Sequence, residues 1–204
     1  FTKQSTRLVI HTCANISKWI PSKILCCSNV SKDMHIDYGY ESQKMVVIPN
    51  GIDTDLFKPN KDHRISLLKE LKLGEDTRLI GFFARYDPQK DHQTFVKMAS
   101  IIKRRIPNVY FVLCGNQIDW NNNKLVSFIC NESLQDCFHL LGIRNDIPRL
   151  TASLDLCVSS STSEAFPLII IEAMACGVPC VVTDVGDSGE IVGNTGDVVS
   201  KNNP

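Results

Sequence analysis

Between residues 61 and 183, short and continuous apolar runs alternate with segments of helical pattern. Few folds accept that order. The runs cover residues 79–83, 109–114, 137–140, 154–158 and 180–183. Helices are expected over 63–71, 92–105, 120–129, 147–153 and 167–176. Phe95, Met98, Ala99 and Ile102 repeat at i, i+3, i+4 and i+7, the spacing of one buried helix face. Ile65, Leu68 and Leu71 do the same on the shorter helix before Gly74. The apolar runs do not alternate with polar residues, which is how strands buried on both faces read. A parallel sheet covered by helices on both sides follows, an α/β doubly wound, Rossmann-like domain. In such sheets ligands collect at the carboxyl ends of the strands.

Upstream of residue 61 the pattern is thinner. Strands are expected at 24–28 and 45–48, with a helix at 30–38 between them. Pro49-Asn50-Gly51 punctuates the chain, and polar residues 53–60 with Pro59 read as a linker. The expected division is therefore 1–48, the end of a preceding domain; 49–60, the linker; and 61–204, the main domain.

With 43% hydrophobic residues among 204, the chain can bury a sizeable core. Lys+Arg and Asp+Glu both number 22. That balance gives no reason to expect a nucleic-acid or anionic-membrane partner. Nine cysteines are present, and Cys26, Cys27, Cys114, Cys157, Cys176 and Cys180 lie inside apolar runs. They read as reduced core residues, which points to the cytoplasm. The Asn-x-Ser sequons at Asn15, Asn29 and Asn131 carry meaning only in a secreted protein. The longest apolar run, 165–182, is interrupted by Glu172, Gly177 and Pro179, too polar to span a bilayer.

Glu164 and Glu172 bracket a stretch whose intervening residues are all apolar, and residues 173–176 are apolar too. Glu172 is thus a lone charge. Burying such a carboxylate unpaired costs on the order of several kcal/mol, so a ligand rich in hydroxyls is its natural partner. The helix starting near Pro167 follows the polar loop 159–164. Its N-terminus carries partial positive charge and free N–H groups, which suit a phosphate. The alternative is a hydrophilic loop feeding a core helix. Arg85 and Lys90 share one loop after the strand at 79–83. Two cations there suit a diphosphate, or the loop is simply solvated. Asp53-Thr54-Asp55 has the form of a metal-binding triplet but sits at a domain change, and the five histidines are too scattered for ligation. No metal is expected. Gly186, Gly189, Gly193 and Gly196 do not form a dinucleotide fingerprint.

Taken in order, residues 47–53 with Phe57, Arg85 with Lys90, Gly142-x-Arg144-Asn145-Asp146-Ile147, Glu164-x7-Glu172 and residues 173–179 resemble the retaining glycosyltransferases of family 4, which have the two-domain GT-B fold. The resemblance runs from about residue 20 to the end. It implies that 61–204 is the C-terminal, donor-binding half of a GT-B fold. Arg85 and Lys90 would hold the diphosphate of a nucleotide-diphosphate sugar. Glu172 would accept hydrogen bonds from the ribose, and Glu164 would contact the donor sugar. Backbone around Phe166, Pro167 and Leu168 would face sugar and phosphate, and Ile143 to Ile147 would lie by the base. The implied catalytic set is Glu164, Arg85 and Lys90, working without a metal or other cofactor. The acceptor would be a glycan or a lipid-linked sugar, as in cell-surface polysaccharide biosynthesis, with peripheral association of the full-length protein at the inner face of the membrane compatible with that role. Ala84 and Asp91 depart from the family, which favours glycine at both places. The early part of the first domain and the usual final helix are also missing, so the chain is expected to be a fragment with weak donor binding and little turnover. A nucleotide-sugar epimerase or phosphorylase of the same fold, and a non-catalytic interaction module, are the rival readings.

Overall fold

A computed structural model describes residues 4–204. The chain divides into two compact units, residues 1–51 and 52–204. The expected linker at 49–60 is shared between them.

The first unit holds helix α1 (Gln4–Ile16), strand β1 (Ile24–Cys26), helix α2 (Asn29–Asp37) and strand β2 (Met45–Val47). The two strands pair in parallel, with Leu25 opposite Val46. Ser28 caps α2 by accepting a hydrogen bond from the Ser31 N–H at 2.9 Å, the expected work of a serine at that position.

The second unit runs α3 (Lys61–Glu70), β3 (Arg78–Phe83), α4 (His92–Arg105), β4 (Val109–Cys114), α5 (Asn123–Asn131), β5 (Phe138–Leu140), α6 (Ile147–Ala152), β6 (Leu156–Ser159), α7 (Leu168–Ala175), β7 (Cys180–Thr183), α8 (Ser188–Val192) and β8 (Asp197–Val199). Its strands form one sheet in the order β5-β4-β3-β6-β7-β8, and every pairing is parallel. The chain winds outward from β3 to β5, returns, and winds the other way from β6 to β8. The reversal lies between β3 and β6.

Strand periodicity divides the core in two. Leu79 and Phe83 of β3 pack with Leu67 and Leu68 of α3, Leu150 of α6 and Ile170 and Ala173 of α7. Ile80 and Phe82 face the other way, with Phe95, Val96 and Ala99 of α4 and Leu125 and Ile129 of α5. Both faces of the sheet are therefore covered by helices, as continuous apolar strands require. Phe57 lies inside the segment expected as linker, yet it is buried in the first of these clusters. The sequence reading also passed over α1, α8 and β8.

Candidate functional site

The loops after β3, β4 and β5 and the first turns of α7 meet beyond the carboxyl ends of the strands, where the strand order reverses. They border a cavity of about 490 Å³ lined by, among others, Arg85, Gly115, Arg144, Leu168 and Glu172. That size suits a small-molecule ligand, for which pockets of roughly 300–1,000 Å³ are usual. Ile143 and Ile147 line it as well.

Each loop is shaped by local chemistry. After β3, the Asp87 carboxylate accepts the Gln89 N–H at 2.9 Å and so turns the chain. The Arg85 guanidinium donates to its other oxygen at 3.1 and 3.2 Å. The Gln89 N–H and then Arg85 hold the Asp87 carboxyl below its ordinary range. Arg85 is more than half exposed, so its side chain can turn toward a ligand at small cost. Asp91 has φ +48°, a left-handed conformation that glycine adopts at least cost. Aspartate serves here because its side chain caps α4, accepting the Thr94 N–H at 3.1 Å.

After β4, Gly115 has φ +148°, and a Cβ there would stand 2.2 Å from the Ala84 carbonyl oxygen. Only glycine lets the β3 and β4 loops approach this closely. The loop after β5 brings Arg144 to the cavity wall. Its guanidinium forks onto Asp146 at 2.8 and 2.9 Å and reaches Glu70 of α3 at 2.7 Å. These pairings push the Arg144 pKa up and hold Asp146 down.

The serine-rich loop after β6 is sewn to the Arg85 loop. The Ser160 hydroxyl lies 3.0 Å from the Lys90 carbonyl oxygen, and the Thr162 N–H donates to the Gln89 carbonyl at 2.7 Å. That stitching brings Lys90 into an ion pair with Glu164, across 74 residues of sequence. Ser161 donates to the same Glu164 oxygen at 2.7 Å. α7 then begins without a side-chain cap, so its first N–H groups are left for solvent or a ligand.

Glu172 lies on α7, one turn after its first residue, and lines the cavity. Its carboxylate has no hydrogen-bond or ion-pair partner among the described residues. Burial raises its pKa. Burial, with the Glu172 charge second, also pushes the Cys176 thiol up to about 11. A half-buried carboxylate faces a guanidinium-bearing loop in one cavity, an arrangement suited to a ligand with hydroxyls at one end and negative charge at the other.

Of the residues singled out from the sequence, Arg85, Glu172, Leu168, Ile143 and Ile147 share this cavity. Lys90 and Glu164 face each other instead. Phe166 and Pro167 lead into α7 and are not among the lining residues. Sequence reasoning left out Gly115, whose signal was a glycine directly after a strand. It placed Arg144 only within the stretch 143–147 expected by the base, with no role for the guanidinium itself. Asp53 turns out to shape a turn, accepting the N–H groups of Asp55 and Leu56 at 2.9 and 3.1 Å. No group of three or more potential metal ligands occurs among the described residues. No helix among them is long and apolar enough to cross a membrane.

The family model of the glycosyl transferases group 1 matches residues 64–204, and that of glycosyltransferase family 4 matches residues 6–56. The chain belongs to the glycosyl transferases group 1 family. It is 30% identical, over 94% of its length and 50% of the relative's, to the UDP-Gal:alpha-D-GlcNAc-diphosphoundecaprenol alpha-1,3-galactosyltransferase of Escherichia coli. Among solved structures it resembles Anabaena Alr3699/HepE in complex with UDP and glucose, with a TM-score of 0.87 and 26% identity. That match covers 97% of this chain and 54% of the other. The same protein in complex with UDP-glucose matches with a TM-score of 0.87 and 25% identity, over 97% and 55% of the two chains. The chain thus spans about half the length of these relatives. Its fold is the expected one, a doubly wound α/β sheet of the GT-B kind.

Proposed function

We propose that this chain is the donor-binding half of a retaining glycosyltransferase that moves a sugar from a nucleotide-diphosphate sugar to a glycan or lipid-linked acceptor. One observation carries the reading. A lone carboxylate, Glu172, and an exposed guanidinium, Arg85, line the same cavity beyond the strand ends. In this reading Glu172 accepts hydrogen bonds from both ribose hydroxyls. Arg85 and the start of α7 take the diphosphate, and Lys90 joins them from its pairing with Glu164. Glu164 contacts the transferred sugar. The exposed Ile143 and the neighbouring Ile147 lie by the base, and the backbone of 166–168 faces sugar and phosphate.

Transfer leaves negative charge on the departing nucleotide. In this reading Arg85, Lys90 and the α7 N-terminus stabilise that charge, and the transfer needs no metal. The solved relatives bound to UDP and UDP-glucose make uridine diphosphate the first nucleotide to test. The acceptor side belongs to a first domain ending near residue 48, joined through 49–60 to the donor domain at 61–204. Action in the cytoplasm, with peripheral contact at the inner face of the membrane, fits a lipid-linked acceptor. Calorimetry of the chain with UDP tests the proposal. Binding that weakens on truncating Arg85 and on replacing Glu172 with Gln supports it; UDP affinity indifferent to both changes refutes it.

A further inference from the structure

We propose that Ser161 is a positioning residue for Glu164, and that Thr183 holds Ser161 in place. The inference rests on the donor-site reading above and assigns a further role within it. Ser161 has no solvent-exposed surface, although it lies in a polar loop. Its hydroxyl donates to Glu164 Oε1 at 2.7 Å. Lys90 binds the same oxygen. The second carboxylate oxygen, Oε2, has no hydrogen-bond partner among the described residues.

The loop that carries this pair is fixed from behind. Thr183, buried at the end of β7, donates its hydroxyl to the Ser161 carbonyl at 2.6 Å. Ser159 offers the same hydroxyl a second acceptor at 3.3 Å. The backbone of Glu164 is braced in turn. Gly186 has φ +56°, and a Cβ there would stand 2.3 Å from the Glu164 carbonyl oxygen. The Asp187 N–H donates to the Ala165 carbonyl at 3.1 Å.

The physical consequence is a choice of oxygen. A glutamate on a loop rotates about three bonds, and ordering it costs entropy whenever a ligand must do so. Here a buried hydroxyl and an ammonium both hold Oε1, so the carboxylate is oriented before a ligand arrives. Oε2 is then the atom that accepts a hydroxyl of the donor sugar. Ser161 never touches the sugar. It acts by fixing which oxygen does.

The test uses the full chain, with UDP and UDP-glucose as probes in calorimetry. The ratio of the two affinities isolates what the sugar adds beyond the nucleotide. Ser161→Ala lowers that ratio about tenfold, the scale of one charge-assisted hydrogen bond. Glu164→Ala lowers it at least as far. Ser161→Thr, which keeps the hydroxyl, restores it. Thr183→Val, which keeps the shape but not the donor, lies between. As an independent readout, the side-chain 13C carboxyl resonance of Glu164, assigned through Glu164→Gln, is displaced in Ser161→Ala at pH 7 and returns in Ser161→Thr. A ratio lowered by Glu164→Ala but untouched by Ser161→Ala overturns the inference. If Glu164→Ala itself leaves the ratio unchanged, or UDP does not bind, the donor-site reading fails instead. The carboxyl resonance then still judges Ser161, and an unmoved signal in Ser161→Ala overturns its role.

Discussion

Replacing Glu172 with Gln keeps the side chain's size and removes its charge. The carboxylate has no protein partner among the described residues, and burial raises its pKa. The ionised form is therefore disfavoured in the folded protein. Two effects of opposite sign follow. Hydrogen bonds to a charged acceptor contribute about 1.5–3 kcal/mol each, neutral ones about 0.5–1.5. A Gln carbonyl can still accept from one ribose hydroxyl. Losing two bonds to a charged acceptor and keeping one neutral bond leaves a net loss for UDP of about 2–5 kcal/mol, or roughly 30- to 5,000-fold in Kd. The unliganded protein responds the other way. Because the folded-state pKa is raised, the penalty for Glu172 is absent at low pH and grows as pH rises through that pKa. Glu172→Gln is accordingly more stable than the unmodified chain at pH 7.5, and the gain disappears on acidification below the ordinary glutamate range. The decisive assay is a double-mutant cycle by calorimetry, pairing Glu172→Gln with a 2′,3′-dideoxy nucleotide diphosphate. If the carboxylate binds the ribose, removing both partners costs much less than the sum of the single losses. Strict additivity would refute the ribose assignment.

Truncating Arg85 to Ala lowers UDP affinity about tenfold and UMP affinity less, because the lost bond is to the diphosphate; equal losses for both nucleotides would contradict this. Gly115→Ala forces a Cβ to within 2.2 Å of the Ala84 carbonyl oxygen and costs about 1–3 kcal/mol of stability, read as a lower midpoint in thermal unfolding. Asp91→Gly relieves the left-handed residue but loses the α4 cap, so its net effect stays within about 1 kcal/mol. Burial lowers the His92 imidazole pKa from 6.5 to about 4. Its neutral form is the folded one, so its contribution is whole above pH 6.5 and is lost as pH falls toward 4. His92→Phe, which keeps the tilted ring contacts with Phe82 and Tyr86, flattens that part of the denaturation profile.

The sheet was legible where burial leaves a continuous mark. Helix α4 and strands β4 and β7 fall where the apolar pattern places them, because their boundaries coincide with changes in burial. Other boundaries yielded to local hydrogen bonds. α5 starts at Asn123 and not at residue 120, since Asn122 is its cap, accepting the Leu125 N–H at 3.2 Å. Pro167 stays extended, with ψ 110°, and the helix follows it. β8 escaped notice because its three residues are exposed at the sheet edge amid Gly, Asn and Asp. The candidate site was legible as a set of residue types, not as a set of partners. That Arg85 and Glu172 share a cavity follows from where strand order reverses. That Lys90 meets Glu164 follows from stitching between two loops, which leaves no periodic trace. Gly115 fits the same pattern, since its need for a missing side chain lies in the approach of Ala84.

The account stands most directly on a crystal structure of the chain grown with UDP. It predicts both ribose hydroxyls on the Glu172 carboxylate and the diphosphate on Arg85, at hydrogen-bond distances of about 2.7–3.2 Å. UDP seated elsewhere, such as the cleft between Tyr86 and Lys124, or in this cavity with Glu172 making no contact to it, would contradict the account.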